Sequence, residues 1–120
     1  MSDMPKPAGP YSPIVQAGEW LVTAGQLGVT PDGEMAEGIE AQTAQCMANI
    51  RTLLESKGAG MGKIVKTTVF LADIADWPKM NGPYEEALQG NKPARSAFQV
   101  AALPRNALVE IEAWAHLGAD

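Results

Sequence analysis

Apolar and polar positions alternate in two segments near the C-terminus, and this alternation predicts two β-strands. Pro93 begins the first segment, because the residue before a proline is pushed out of the helical region. Side chains of residues 94–100 then fall on opposite faces: Arg95, Ala97 and Gln99 on one, Ser96, Phe98 and Val100 on the other. After a break at residues 103–106, the second strand covers residues 108–116. Its apolar face consists of Val109, Ile111, Ala113 and Ala115.

The same period predicts three further strands upstream. Residues 14–17 and 20–24 form a hairpin around the two-residue turn Gly18-Glu19, and residues 25–28 leave the strand. A long strand covers residues 63–72. One of its faces is expected to consist of Val65, Thr67, Val69 and Leu71.

The strongest helical pattern predicts a helix that ends near Lys57-Gly58, with glycine past its last turn. Its apolar stripe consists of Ile39, Thr43, Cys46, Met47, Ile50, Leu53 and Leu54. Gln42 belongs to the polar positions that we expect to face water. Cys46 lies on the stripe, so the pattern favours a buried structural thiol over a nucleophile.

The second helical pattern is interrupted by Gly82-Pro83. A proline inside a helix costs about 3 kcal/mol, so we predict a short helical turn at 77–80 and a main helix from Pro83 to about Gln89. Asn81 would then be a capping residue of the main helix, and Asp76 would cap the first turn.

The predicted order β-β-α-β-α-β-β indicates an α+β fold, a two-layer α-β sandwich with both helices on one face of the sheet. The strands are apolar or semi-polar on both sides, so the face without helices would leave a wide apolar patch exposed. Such patches mark interfaces. The pattern therefore predicts an oligomer.

Length and composition favour one globular domain that spans residues 1–120. Residues 1–13 contain four prolines and are expected to be extended and irregular. The N-terminus lacks the apolar core of a signal peptide, and no apolar run approaches the roughly 20 residues of a membrane span. We therefore expect a cytoplasmic protein without membrane contact. The net charge of −5 argues against nucleic-acid binding, because contact with the phosphate backbone needs clustered Lys and Arg side chains.

The chain has one cysteine and one histidine, which excludes an internal disulfide and disfavours a structural zinc site. A carboxylate site for a hard cation stays open, but no clustered Asp/Glu motif suggests one. We therefore expect no metal. The most informative polar pair is Arg95 and Glu110, because an arginine fork matches a carboxylate ligand and a glutamate could deprotonate a water. The alternative is a plain salt bridge, or two side chains that only face water.

Six segments, in order along the chain, resemble the motifs of the RidA (YjgF) family of enamine/imine deaminases. They are Gly9–Ser12, Thr23–Gln26, Val65–Leu71, Asn81 with Tyr84-Glu85, Pro93–Ser96 and Val109–Ile111. The resemblance implies a chorismate-mutase-like (YjgF-like) fold, a homotrimer with ligand sites in the clefts between subunits, and a reaction that needs no cofactor. The implied partner is a small-molecule carboxylate substrate.

The resemblance also implies roles for individual residues. Arg95 would bind the substrate carboxylate, and Glu110 would position and deprotonate the attacking water. The rest of the substrate would meet Tyr11, Asn81 and backbone groups near Gly25 and Ala97. Many family members carry a cysteine where Ala97 stands, so no thiol mechanism is possible at that position.

Three other functions stay open from the sequence. A non-catalytic carboxylate-binding or regulatory protein would need the same Arg95. A more specialised deaminase or hydrolase of a degradation pathway would need a pocket that the sequence does not define. A ribonuclease or translation inhibitor, the description often attached to this family, fits poorly because His116 is the one imidazole and the chain is acidic.

Overall fold

A computed structural model describes residues 4–119, which form one sheet with two helices on one of its faces. The strands are β1 (Ile14–Ala17), β2 (Trp20–Thr23), β3 (Gln26–Leu27), β4 (Ile64–Leu71), β5 (Ala94–Gln99) and β6 (Val109–His116). The helices are α1 (Ile39–Glu55) and α2 (Trp77–Leu88). Residues 4–13 contain no helix or strand, as expected for the segment 1–13, whose residues 1–3 lie outside the described residues. The predicted α+β fold is confirmed.

Strand β6 is the centre of the sheet, whose order is β1-β2-β6-β4-β5, and β3 pairs with β6 beyond the end of β2. All pairs are antiparallel except β4 with β5. Val69 of β4 therefore lies between Ile111 of β6 and Ala97 of the edge strand β5. This register fixes which side chains of the three strands share a face.

The face under the helices forms the core, and the predicted apolar stripes meet there. The apolar side chains of β6 predicted to share a face are all buried. The seven positions of the α1 stripe are buried too. Helix α1 ends at Glu55, and Gly58 follows with a φ of +78°, a conformation that glycine adopts without strain. These predictions are confirmed.

Three local predictions were wrong. Gln42 does not face water: it is buried, and its Oε1 accepts a hydrogen bond from the Leu108 N–H at 2.9 Å. Residues 26–27 form the short strand β3. In β4 a register shift between Ile64 and Lys66 buries Ile64 and leaves Val65 partly exposed, because an irregularity of this kind breaks the alternation of faces.

The predicted break in the second helix was also wrong, because α2 runs continuously from Trp77 to Leu88 with Pro83 inside it. The buried side chains Met80, Tyr84 and Leu88 recur every four residues, so they pack into the core only if the helix continues. The carbonyl that Pro83 cannot bond belongs to the exposed Lys79, where water can reach it.

The start of α2 was predicted partly correctly. Asp76 occupies the residue before the helix, but its side chain makes no capping hydrogen bond. The capping carboxylate is that of Asp73, which accepts from the Ala75 N–H at 2.9 Å and closes a short 3₁₀ turn. The capping residue is therefore an aspartate, as predicted, but it is Asp73 and not Asp76, and it caps the 3₁₀ turn that precedes α2.

The sheet face opposite the helices, called the open face below, carries large exposed apolar side chains. Trp20, Phe98 and Trp114 are 40–44% exposed, and Val15 is 51% exposed. Two ring pairs lie on this face, Trp20 with Trp114 at 6.1 Å and Phe70 with Phe98 at 5.3 Å between centroids. Among the described residues, nothing covers this patch.

We predict that Pro83→Ala stabilises the protein. The substitution restores a backbone donor inside α2, so the free energy of unfolding should rise by about 1 kcal/mol or more. Urea unfolding at one fixed chain concentration measures the change. Gly82→Ala, at the neighbouring exposed position, is the control for general helix propensity and should gain no more than Pro83→Ala. A less stable Pro83→Ala protein would show that the proline is needed where it stands.

Candidate active site

Arg95 lies on the edge strand β5 with its side chain on the helix-covered face, because its partner in β4 is the fully buried Thr67. Its Nη1 donates a hydrogen bond to Asn81 Oδ1 at 2.8 Å and lies 3.7 Å from Met80 Sδ. Its guanidinium carbon lies 4.8 Å from the centroid of the Tyr84 ring and 5.9 Å from that of Trp77. Both distances fall in the range of cation–π contacts. Helix α2 therefore holds this cation with neutral groups.

No carboxylate pairs with Arg95 among residues 4–119. The ion pairs in that range are Lys92 with Glu85 and His116 with Glu19, each more than 3.5 Å long. The edge of the guanidinium that carries Nε and Nη2 has no hydrogen-bond partner in the same range. Two parallel N–H donors with this spacing match the two oxygens of a carboxylate.

The continuous helix changes the position of Asn81. It was predicted to cap a helix, but it lies inside α2, one turn after Trp77, and its amide oxygen bonds Arg95. Ala97 follows on the same strand face as Arg95, because its β4 partner is the buried Val69. Arg95, Asn81 and Ala97 thus form one group, called the arginine half-site below.

Glu110 lies on the open face, since its partner in β4 is Phe70, whereas its neighbours on β6 point into the core. Its carboxylate packs against the α-carbon of Gly25. A Cβ on Gly25 would collide with Glu110 Oε2 and lie 2.8 Å from Cδ, so any larger residue at this position would have to displace the Glu110 carboxylate. Partial burial, and to a smaller extent the charge of Glu112, raises the pKa of Glu110 above its ordinary value.

Tyr11 lies on the irregular N-terminal segment and is 49% exposed. Its hydroxyl oxygen accepts a hydrogen bond from the Ala8 N–H at 3.2 Å, which leaves the phenol hydrogen available to another acceptor. Tyr11 and Gly25 line one cavity of about 270 Å³. Gly25 also contacts Glu110, which is not among the residues that line this cavity, and the three residues Tyr11, Gly25 and Glu110 are called the glutamate half-site below.

The structure keeps the two half-sites apart within one chain. Arg95 and Glu110 lie on opposite faces of the sheet, in rows three residues apart along β4. The offset of three residues separates them by about 10 Å along the strands, and the two strand spacings between β5 and β6 separate them by about 10 Å across the sheet. A ligand small enough to be held by a single guanidinium cannot contact both within one chain.

Other reactive groups do not contribute to either half-site. Cys46 is fully buried and its Sγ donates to the Gln26 carbonyl oxygen at 3.1 Å, and burial raises the pKa of the thiol. Over residues 4–119, no three His, Cys, Asp or Glu side chains are close enough together to hold a metal ion. In the same range, no helix has the length and hydropathy of a membrane span.

The sequence interpretation missed Tyr84 and Trp77 as neighbours of Arg95. It divided the helix between them at Gly82-Pro83. In a continuous helix, Trp77, Asn81 and Tyr84 follow the spacing i, i+4, i+7 and share a face. That spacing was visible in the sequence, and the assumed effect of Pro83 concealed it.

Comparison with known proteins gives a consistent result. Residues 1–117 match the family model described as Endoribonuclease L-PSP. A RutC family protein of Pyrococcus horikoshii is 45% identical over 93% of this chain and 90% of its own length. The 2-iminobutanoate/2-iminopropanoate deaminase of Mus musculus is 41% identical over 95% of this chain and 86% of its own length. The crystal structure of E. coli TdcF with bound serine is 33% identical and superposes with a TM-score of 0.90, covering 95% of this chain and 93% of that one.

The raised pKa of Glu110 leads to a prediction about stability and pH. The folded chain favours the protonated carboxyl of Glu110. The contribution of this carboxyl to the free energy of unfolding is therefore fully present below the ordinary pKa of 4.5 and is lost as the pH rises through the raised pKa. Glu110→Gln stays neutral at every pH, so its free energy of unfolding relative to wild type should rise as the pH increases from 4.5 through the raised pKa of Glu110.

Urea unfolding of both proteins across this pH range, at one chain concentration, measures that difference. Glu86→Gln, at an exposed position of α2, is the matched control for removing one negative charge. A difference between Glu110→Gln and wild type that stays constant with pH would contradict the burial of Glu110.

Proposed function

The chain belongs to the Endoribonuclease L-PSP family, the family of the YjgF and RidA proteins, and from this premise we propose that it hydrolyses 2-imino and 2-enamino carboxylic acids. An enamine first tautomerises to the imine. Water then adds to the imine carbon, the carbon–nitrogen bond breaks, and a 2-oxo acid and ammonia leave. The small, reactive substrate needs a site that anchors its carboxylate and delivers one water.

The observation that carries the proposal is the state of Arg95. Its guanidinium is partly buried, lies over the Tyr84 ring and is hydrogen-bonded to the Asn81 amide, but has no carboxylate beside it in the described chain. A structural arginine at such a place would pair with an acidic side chain. The free edge with Nε and Nη2 instead suits the carboxylate of a ligand, which would be bound by two charge-assisted hydrogen bonds.

Glu110 would act on the water. A carboxyl group whose pKa is raised toward neutrality accepts a proton from water more readily than a fully solvated one, and can return it. It would accept the proton as the oxygen bonds to the imine carbon and pass it to the departing nitrogen. The Tyr11 hydroxyl, and backbone groups near Gly25 and Ala97, would bind the remaining polar atoms of the substrate.

A complete site needs a second copy of the chain, because one chain holds the two half-sites on opposite faces of its sheet. The exposed aromatic rings of the open face support association of several copies. We propose a homotrimer, the state that the resemblance to RidA implies, with the arginine half-site of one protomer facing the glutamate half-site of its partner. Each single-domain chain would then contribute to two sites.

The relatives support this choice of reaction. The mouse protein is named for the hydrolysis of 2-iminobutanoate and 2-iminopropanoate, and TdcF was crystallised with serine, a small carboxylate. A ribonuclease is the weaker alternative. The one imidazole of this chain is that of His116. Its Nδ1 accepts a hydrogen bond from the Gly118 N–H, and its ring contacts the Trp20 ring. His116 therefore belongs to neither half-site. A non-catalytic carboxylate binder would keep Arg95 but would not need Glu110.

We predict that Arg95→Ala lowers kcat/KM for 2-iminopropanoate by about a hundredfold or more, because two charge-assisted hydrogen bonds to the carboxylate are lost. Arg95→Lys, which keeps the charge but not the fork, should lie between this variant and wild type. The imine is generated in the assay by an amino-acid oxidase, and semicarbazide trapping measures its decay. Arg51→Ala on α1 is the matched control. Wild-type kcat/KM in Arg95→Ala would refute the assignment.

We also predict that Gly25→Ala lowers kcat by about tenfold or more while the chain stays folded, since the new methyl displaces the Glu110 carboxylate from its place. The control is Gly62→Ala, because a Cβ at Gly62 meets open space. Circular dichroism and the oligomer mass confirm folding of both variants. Equal kcat for Gly25→Ala and Gly62→Ala would argue against a catalytic role for Glu110.

A further inference from the structure

Arg95, Tyr84 and Thr67 are linked pairwise by three contacts. Tyr84 and Thr67 have no role in the reaction described above. The hydroxyls of Tyr84 and Thr67 hydrogen-bond at 2.6 Å. Thr67 of β4 is the strand partner of Arg95 on β5. The Arg95 guanidinium in turn lies over the ring of Tyr84. Three elements, β4, α2 and β5, thus each contribute one corner.

We propose that Tyr84, fixed by its hydrogen bond to Thr67, is a positioning residue that holds the Arg95 guanidinium in the orientation that binds a carboxylate. This inference rests on the proposed function, since it concerns the same site. Tyr84 does not contact the substrate. It acts on the substrate only through Arg95.

The contacts explain why a fixed ring matters. Arg95 has several rotatable bonds, and its amide bond to Asn81 restrains only Nη1. The Tyr84 ring, whose centroid lies 4.8 Å from the guanidinium carbon, adds a second restraint that opposes rotation of the guanidinium about its bond to Asn81. The carboxylate can then meet Nε and Nη2 without an ordering cost at the moment of binding.

The two aromatic neighbours of Arg95 differ in how well they can provide this restraint. Trp77 is 46% exposed, and its ring lies 5.9 Å from the guanidinium carbon. Tyr84 is 7% exposed, lies closer, and is tied to a residue that has no exposed surface at all. Its hydroxyl hydrogen bond is shielded from water, so the ring cannot turn without leaving two buried hydroxyl groups unsatisfied. Tyr84 is therefore the better restrained of the two rings, and Trp77 is the more exposed and more distant one.

A positioning role differs from core packing in its kinetic signature. An anchor for the carboxylate acts equally on the substrate and on the transition state, so weakening it should raise KM and leave kcat nearly unchanged. A loss of packing alone would lower the free energy of unfolding while the folded fraction kept its KM. The two roles can therefore be separated in the same set of variants.

The experiment measures binding and turnover separately. The dissociation constant of 2-oxobutanoate, a stable carboxylate of the product class, is determined by calorimetry, and KM and kcat are determined with 2-iminobutanoate. The variants are Tyr84→Leu, Tyr84→Phe, Thr67→Val and the double variant Tyr84→Phe/Thr67→Val. Leu88→Ala is the control, because Leu88 lies one turn further along the same buried stripe of α2 and takes no part in the hydrogen bonds of Arg95.

We expect Tyr84→Leu to raise both the dissociation constant and KM by about tenfold, with kcat within about threefold of wild type. Tyr84→Phe and Thr67→Val should each raise the dissociation constant by about threefold. The double variant should be no worse than the poorer single variant, because both changes break the same hydrogen bond. Leu88→Ala should lower stability and leave the dissociation constant unchanged.

Two results would overturn the inference. One is a dissociation constant in Tyr84→Leu that matches that of Leu88→Ala. The other, which remains available if Tyr84→Leu does not fold, is wild-type binding in both Tyr84→Phe and Thr67→Val. If wild type binds 2-oxobutanoate but hydrolyses no imine, the proposed function fails while the dissociation constants still test the role of Tyr84.

Discussion

The proposed binding of a carboxylate depends on the Arg95 guanidinium, which is partly removed from water and has no acidic side chain beside it among the described residues. Burying a cation without an anion is unfavourable, and the Asn81 amide and two aromatic rings of α2 offset part of the cost at Arg95. Such a cation attracts any carboxylate that can reach it, and water screens that attraction less than it would at the surface. The affinity proposed for a carboxylate ligand therefore follows from the positive charge of Arg95, which has no ion-pair partner among the described residues.

The sheet imposes the second constraint. Successive residues of a strand point to opposite faces, so the register that directs Arg95 toward α2 also directs Glu110 to the open face. No side-chain rotation can bring the two together through a sheet. The apolar open face and the divided site thus have a common explanation, since association of copies would cover the one and complete the other.

The sequence predicted the elements that depend on regular alternation, and missed those that depend on tertiary contacts. The faces of β6 and the stripe of α1 were visible because the core selects apolar residues at a fixed period. The break in α2 was predicted from the intrinsic cost of Pro83, which the buried stripe overrides. The burial of Gln42 could not be predicted, because its partner, the Leu108 N–H, lies 66 residues away. For the candidate site, a resemblance suggested the residues, and the strand register showed that Arg95 and Glu110 occupy opposite faces of the sheet.

The activity of mixed oligomers shows whether each site combines Arg95 of one chain with Glu110 of another. Arg95→Ala and Glu110→Gln should each be inactive alone. When equal amounts are unfolded together and refolded, about a quarter of the sites should combine an intact Arg95 from one chain with an intact Glu110 from another, and about a quarter of wild-type activity should return. If both residues of a site come from one chain, the mixture will stay as inactive as its components, and that result would contradict the account.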